Sequence, residues 1–168
     1  NEGNGNMYVT NLFSRSLSVS DENNVVVDTI VVRGLTSGVE YNPSYNNMYV
    51  TLFSSESVLV LNEDNVVVDT IVVGFSPFFI EYNPKNNYMY VTNEASSSVP
   101  IIDQNNVVVD IIPVGIFPSG IAFSEGNGNM YVASAGLDAV FVIGETSLPI
   151  NGIKAVSYTH LTLPTTSR

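Results

Sequence analysis

Apolar positions fall in short runs along this chain, and polar turns separate them. The stretch from residue 38 to residue 74 shows the pattern in full. Gly38-Val39-Glu40-Tyr41-Asn42-Pro43 reads as a strand stopped by Asn-Pro, because proline cannot donate to a ladder. Met48 to Phe53 is a second strand, Ser57-Val58-Leu59-Val60-Leu61 a third, and Val66 to Val73 a fourth, ended by Gly74. Ser44 to Asn47, Ser54-Ser55-Glu56 and Asn62-Glu63-Asp64-Asn65 are the turns between them. The apolar residues are mainly Val, Ile, Tyr and Phe, which favour strands. Ala, Glu and Lys are too sparse for long helices.

The pattern repeats. Met7-Tyr8-Val9-Thr10 returns as Met48-Tyr49-Val50-Thr51, Met89-Tyr90-Val91-Thr92 and Met130-Tyr131-Val132-Ala133, each 41 residues after the last. Four short antiparallel strands in about 40 residues is the period of a propeller blade. Val25-Val26-Val27 and Val66-Val67-Val68 are apolar on both faces, as expected of sheets covered on both sides by neighbouring blades. The sequence predicts an all-β chain, a partial β-propeller of about four 41-residue, four-stranded antiparallel blades within residues 1–156, with boundaries near residues 36, 77 and 118. The first blade lacks its inner strand. In the last, Leu148-Pro149-Ile150-Asn151-Gly152-Ile153 replaces the Val-Val-Val strand. Pro113 suits an edge position in the third blade. Glu125 to Asn129 repeats the opening Glu2 to Asn6, so the chain is expected to start inside a repeat unit and to continue upstream.

Composition narrows the function. Sixteen acidic residues against five basic ones give a net charge of −11. Arg15, Arg33, Lys85, Lys154 and Arg168 form no run, which argues against nucleic acid and anionic membranes as partners. The absence of cysteine excludes a disulfide framework, thiolate metal ligation and a cysteine nucleophile. No window is long and apolar enough for a membrane span.

Tyr8-Val9-Thr10-Asn11 and Tyr90-Val91-Thr92-Asn93 resemble the signature of the YVTN β-propeller repeat. So does the order of segments: Gly115 to Ala122, a Tyr-Val strand, a strand ending Ile102-Asp103, then Asn-Val-Val-Val. The resemblance spans residues 1 to about 155. It implies a toroid nearer seven blades, with the Gly-Ile-Ala type strand innermost and the Val-Val-Val strand outermost, of which this chain is an open arc. Leu52 departs from the motif, as do Ala133 and Ser134. Similar repeats occur in archaeal surface-layer and other exported microbial proteins, which implies an extracellular or cell-surface location. Residues 157–168, from Ser157-Tyr158-Thr159-His160, match no earlier segment. They resemble translated sequencing-adapter read-through and are set apart as a non-native or disordered tail.

Candidate chemistry is thin. His160 is the only histidine and lies in that tail. Without it, triad catalysis, histidine-based zinc and histidine-ligated haem fall away. Asp28, Asp69 and Asp110 recur in the outer strand and read as edge charges that block unwanted pairing. Glu40 and Glu81 recur in the inner strand, near a central channel, where the fourth unit has Ala122; a solvated or hydrogen-bonded pair is favoured over a cation site. The oxygen-rich turns at Asp21, Asn62 and Asp103 lack the spacing and glycine of an EF-hand and read as hairpin turns. Tyr8, Tyr49, Tyr90 and Tyr131 read as inter-blade core.

No catalytic, cofactor-binding or metal-binding residue is therefore assigned. The expected function is a non-enzymatic secreted or surface-displayed propeller that contacts a protein or glycan. The alternatives are the propeller portion of an exported enzyme or redox protein whose catalytic residues lie elsewhere, or a structural spacer in a surface layer. Specificity is expected where the repeats differ, in Arg33-Gly34-Leu35-Thr36 and Phe75-Ser76-Pro77-Phe78-Phe79.

Overall fold

A computed structural model describes Gly3, residues 5–144 and the strand Val156–Thr159. The described residues form strands and turns, with no helix. The first sheet holds β1 (Met7–Asn11), β2 (Ser16–Ser20) and β3 (Val26–Val31). The second holds β4 (Thr36–Asn42), β5 (Asn47–Leu52), β6 (Ser57–Leu61) and β7 (Val67–Val72). The third holds β8 (Pro77–Asn83), β9 (Tyr88–Asn93), β10 (Ser98–Ile102) and β11 (Val108–Pro113). The fourth holds β12 (Pro118–Phe123), β13 (Met130–Ser134), β14 (Ala139–Ile143) and β15 (Val156–Thr159). Each sheet is an antiparallel meander in chain order, so tight turns suffice to connect it.

The register repeats with the sequence. Glu40 faces Tyr49, Glu81 faces Tyr90 and Ala122 faces Tyr131 across the first strand pair. The third and outer strands slip register at the same place in three sheets, at Val19/Ser20, Val60/Leu61 and Ile101/Ile102. The Asx turn beside each slip explains its sequence. Asp21, Asn62 and Asp103 each accept two backbone N–H groups through Oδ1, from Asn23 and Val25, Asp64 and Val66, and Asn105 and Val107, at 2.9–3.1 Å. Asn24, Asn65 and Asn106 then take left-handed φ values of 61°, 62° and 60°, a conformation asparagine tolerates better than other non-glycine residues.

The core lies between sheets. Alternate residues of one strand serve opposite interfaces. Met48 and Val50 pack with Leu17, Val32, Leu59 and Leu61 against the first sheet, whereas Tyr49 packs with Ile80, Met89 and Val91 of the third. Tyr90, Val99 and Ile101 in turn meet Met130, Val132 and Phe141 of the fourth. Both faces of β5, β6, β9 and β10 are covered, whereas Val25-Val26-Val27 and Val66-Val67-Val68, expected to be covered on both sides, lie exposed because they run into the outermost strands, beyond the reach of the neighbouring sheets. Each buried Val, Leu or Ile contributes roughly 1.5–3 kcal/mol, and a lone sheet would forgo most of it. The cost of a missing neighbour shows in one repeat position: Met48, Met89 and Met130 are 4%, 1% and 1% exposed, while Met7 is 58% exposed.

Pro113 closes β11, the outer strand of its sheet. The segment Leu148–Ile153, expected as the fourth blade's outer strand, lies outside the described residues. That place beside β14 is taken by Val156–Thr159, which pairs Ile143 with Val156 and Val140 with Thr159. Ser157, Tyr158 and Thr159, set apart by the sequence reading as tail, are therefore part of the sheet backbone. The free N–H and C=O groups of β14 need a partner, and Val-Ser-Tyr-Thr has the β-branched and aromatic composition of a strand.

Candidate functional site

The repeated motif is a set of inter-sheet clamps. Thr10 Oγ1 donates to the carbonyl of Ser37 at 2.9 Å, Thr51 Oγ1 to that of Phe78 at 3.0 Å and Thr92 Oγ1 to that of Ser119 at 2.9 Å. Each bond runs to the first strand of the following sheet. The tyrosines reach further. Tyr8 Oη donates to Asn65 Oδ1 at 2.7 Å, and Tyr49 Oη to Asn106 Oδ1 at 2.9 Å. The same asparagines donate back through Nδ2, Asn65 to Asp28 at 3.2 Å and Asn106 to Asp69 at 2.9 Å. A turn asparagine of one sheet thus bridges a tyrosine and an aspartate of the sheet before it. Asp28 and Asp69, read from sequence as edge guards, are acceptors in this bridge. Tyr49 and Tyr90 lie in the inter-sheet core and Tyr8 packs against it, as expected, whereas Tyr131 is half-buried and accepts from Asn127 Nδ2 of its own sheet at 2.8 Å.

Glu40 and Glu81 lie half-buried on β4 and β8, the inner strands that pack side by side. Glu81 Oε1 accepts the backbone N–H of Phe123 at 3.1 Å. Burial, and secondarily the neighbouring Glu81, push the Glu40 carboxyl up to about 7. Burial also raises Glu81. The pair is partly desolvated and self-repelling. Among the described residues no group of three or more His, Cys, Asp or Glu is placed to hold a metal ion. His160, Lys154 and Arg168 lie outside the described residues.

The two ends of the sheets differ in chemistry. The Asx turns and the Tyr–Asn–Asp bridges occupy one end. The other end carries the links between sheets and the turns that join second to third strands. These elements are tied together: Phe53 N–H donates to Leu35 O at 2.8 Å, Glu94 N–H to Ser76 O at 3.0 Å, and Ala135 N–H to Phe117 O at 3.0 Å. Apolar side chains stand exposed on them, namely Phe13 (88% exposed), Phe75, Ile116, Phe117 and Leu137. Phe79 is exposed at the start of β8 and meets Phe78 edge-to-face at 4.9 Å, which in turn meets Phe53 at 6.1 Å. The stretch Phe75 to Phe79, singled out as a departure from the repeat, is therefore the middle of an aromatic end face. Phe13 and Leu137 belong to this face as well, and sequence reading passed over them because they sit in separate turns.

This architecture defines the chain as an all-β protein built as a partial β-propeller. Among solved structures it is similar to a catalytically inactive variant of virginiamycin B lyase from Staphylococcus aureus, determined with quinupristin. The TM-score is 0.80 at 12% identity, covering 96% of this chain and 54% of that one. It is also similar to Kuenenia stuttgartiensis hydrazine synthase (TM-score 0.73, 19% identity, 83% of this chain and 42% of that one). A third similar structure is a dihydro-heme d1 dehydrogenase in complex with DHE (TM-score 0.74, 12% identity, 92% of this chain and 35% of that one). The chain thus spans about half or less of the length of these neighbours. At such identities the likeness is one of fold. No protein-family model matches the sequence, and no curated protein matches it. Among the described residues no helix is long and apolar enough to cross a membrane.

Proposed function

We propose that this chain is the arc of a YVTN-type propeller that works as a non-enzymatic binding scaffold, secreted or displayed at the cell surface, with a protein or glycan partner. The observation that carries the reading is the aromatic end face formed by Phe13, Phe75, Phe79 and Phe117 with Ile116 and Leu137. Exposed apolar side chains gathered on one face, and aromatic ones above all, mark contact surfaces. The opposite end holds the Asx turns and Tyr–Asn–Asp bonds, and the apolar side chains exposed there, Val25, Val66, Val107 and Tyr45, include one aromatic ring. The acidic balance suits a soluble exterior and not a polyanionic partner.

Two other readings have support. The lyase and dehydrogenase among the similar structures favour a propeller portion of an enzyme whose catalytic groups lie outside this chain. The regular inter-sheet clamps favour a spacer in a surface layer. A glycan array and a pull-down from a cell-envelope fraction separate the readings, with the wild-type chain compared against a Phe75→Ser, Phe117→Ser double variant. Retention of one partner by the wild type and its loss in the double variant supports the scaffold. Equal behaviour of the two chains overturns it and leaves the spacer or enzyme reading.

A further inference from the structure

The interface between the first and second sheets contains a cleft of about 420 Å³, within the usual size range of small-ligand pockets. Its walls are apolar, with Val31, Val32, Leu52, Leu59 and Val67, and its polar groups are Arg33, Ser55, Ser57 and Thr70. No carboxylate lines it. Four of these positions break the repeat. Advanced by 41 residues, Arg33 becomes Gly74, Leu52 becomes Asn93, Leu59 becomes Pro100 and Thr70 becomes Ile111. The corresponding place at the next interface is used internally, since Asn93 Nδ2 donates to the carbonyl of Val73 at 2.7 Å. Leu52 cannot make that bond, and at its interface there is a cleft instead.

Two polar groups bear on what the cleft could hold. Ser57, 4% exposed as a residue, lines the cleft wall. Arg33 is exposed, and its backbone carbonyl accepts a hydrogen bond from Ser55 Oγ at 3.4 Å. A guanidinium at the rim, a serine hydroxyl in the wall and five aliphatic side chains match a molecule with one anionic head and an apolar body. We propose that this interface is a binding site for a small amphipathic carboxylate, its head held by Arg33 and its body seated between Val32, Leu52 and Leu59. The guanidinium can grip a carboxylate with two parallel N–H bonds. The acidic charge of the whole chain opposes an anion at long range, but at physiological salt that field decays over about 8 Å, so the local cation decides. None of the aromatic residues of the end face lines this cleft, so the site stands or falls apart from the scaffold reading.

The test is isothermal titration of the chain with 2-naphthoate, and with neutral 2-naphthalenemethanol as an isostere. The repeat supplies its own variants: Arg33→Gly and Leu52→Asn install the residues that the next interface carries. The expected result is one-to-one binding of naphthoate with a Kd below about 1 mM. Arg33→Gly is expected to weaken it by about ten-fold or more, to the level of the neutral isostere with the wild type. Leu52→Asn is expected to abolish binding of both probes by replacing an apolar wall with an amide that can bond the Val32 carbonyl, as Asn93 bonds that of Val73. Arg15→Gly, at an exposed cation on the first sheet's turn, is expected to leave naphthoate binding unchanged. Circular dichroism of each variant must match the wild type. No binding by the wild type overturns the proposal, as does equal binding by Arg33→Gly or an equal loss in Arg15→Gly.

Discussion

Asn106 is the most informative single residue in the inter-sheet clamps. It holds φ at 60°, accepts from Tyr49 Oη at 2.9 Å and donates to Asp69 Oδ2 at 2.9 Å. Replacing it by alanine removes both bonds and leaves a Cβ residue without side-chain help in the left-handed region. Two hydrogen bonds at about 1 kcal/mol each give about 2 kcal/mol, and the backbone strain adds about 1 kcal/mol. Asn106→Ala is thus expected to cost about 3 kcal/mol, whereas Asn106→Gly keeps the backbone relaxed and is expected to cost about 2 kcal/mol. Urea unfolding followed by far-UV circular dichroism reads both, with the m-value checked for constancy. Tyr49→Phe provides the second arm of a double-mutant cycle with Asn106→Gly, and a coupling of about 1 kcal/mol is expected because the two share a bond. If both asparagine variants unfold within about 0.5 kcal/mol of the wild type, the bridge carries no stability and the explanation of the recurrent Asp28 and Asp69 fails with it.

Three further expectations follow from the same geometry. Glu40 has its folded-state pKa raised to about 7, first by burial and then by Glu81, so the folded state binds its proton more tightly than the unfolded chain does. The stability this group allows is present below about pH 4.5 and falls as pH rises to about 7; Glu40→Gln should therefore add about 2 kcal/mol at pH 8 and leave stability at pH 4 nearly unchanged, read as the urea midpoint against pH. Thr51 is fully buried, accepts Gly38 N–H at 2.6 Å and donates to Phe78 O at 3.0 Å; Thr51→Val should cost about 1–3 kcal/mol by stranding the Gly38 donor and the Phe78 carbonyl, measured by the same unfolding curve. Asn93 clasps the link after β7 through Val73 O, and Asn93→Leu should raise amide hydrogen exchange at Gly74 and Phe75, with β9 itself remaining protected.

Much of the fold is legible in the sequence because its period is strict and its turns are chemically loud. Asn-Pro after β4 and β8, the Asx turns and the alternation of Met-Tyr-Val-Thr place the strands without any structure. The bonds that join the sheets are less legible. Tyr8 meets Asn65 and Asn65 meets Asp28 at separations of 57 and 37 residues, and the same separations recur at Tyr49, Asn106 and Asp69. These separations exceed one repeat or fall just short of it, so the partners sit in different blades, and no single-repeat pattern exposes them. Recurrence therefore marked Asp69 as structural while hiding what it holds. The candidate sites lie where recurrence fails. Arg33 and Leu52 are visible as exceptions in the sequence, but only the arrangement of the first two sheets in space shows that both line one cleft.

Each blade is stabilised by the face of its neighbour, so one residue in the repeat should be worth different amounts in different blades. Met7 and Met89 occupy the same repeat position, one 58% and the other 1% exposed. Urea unfolding of Met7→Ala and Met89→Ala compares them directly. Met89→Ala is expected to lose about 2–5 kcal/mol and Met7→Ala less than about 0.5 kcal/mol. Equal losses at the two positions would contradict stabilisation by the neighbouring face.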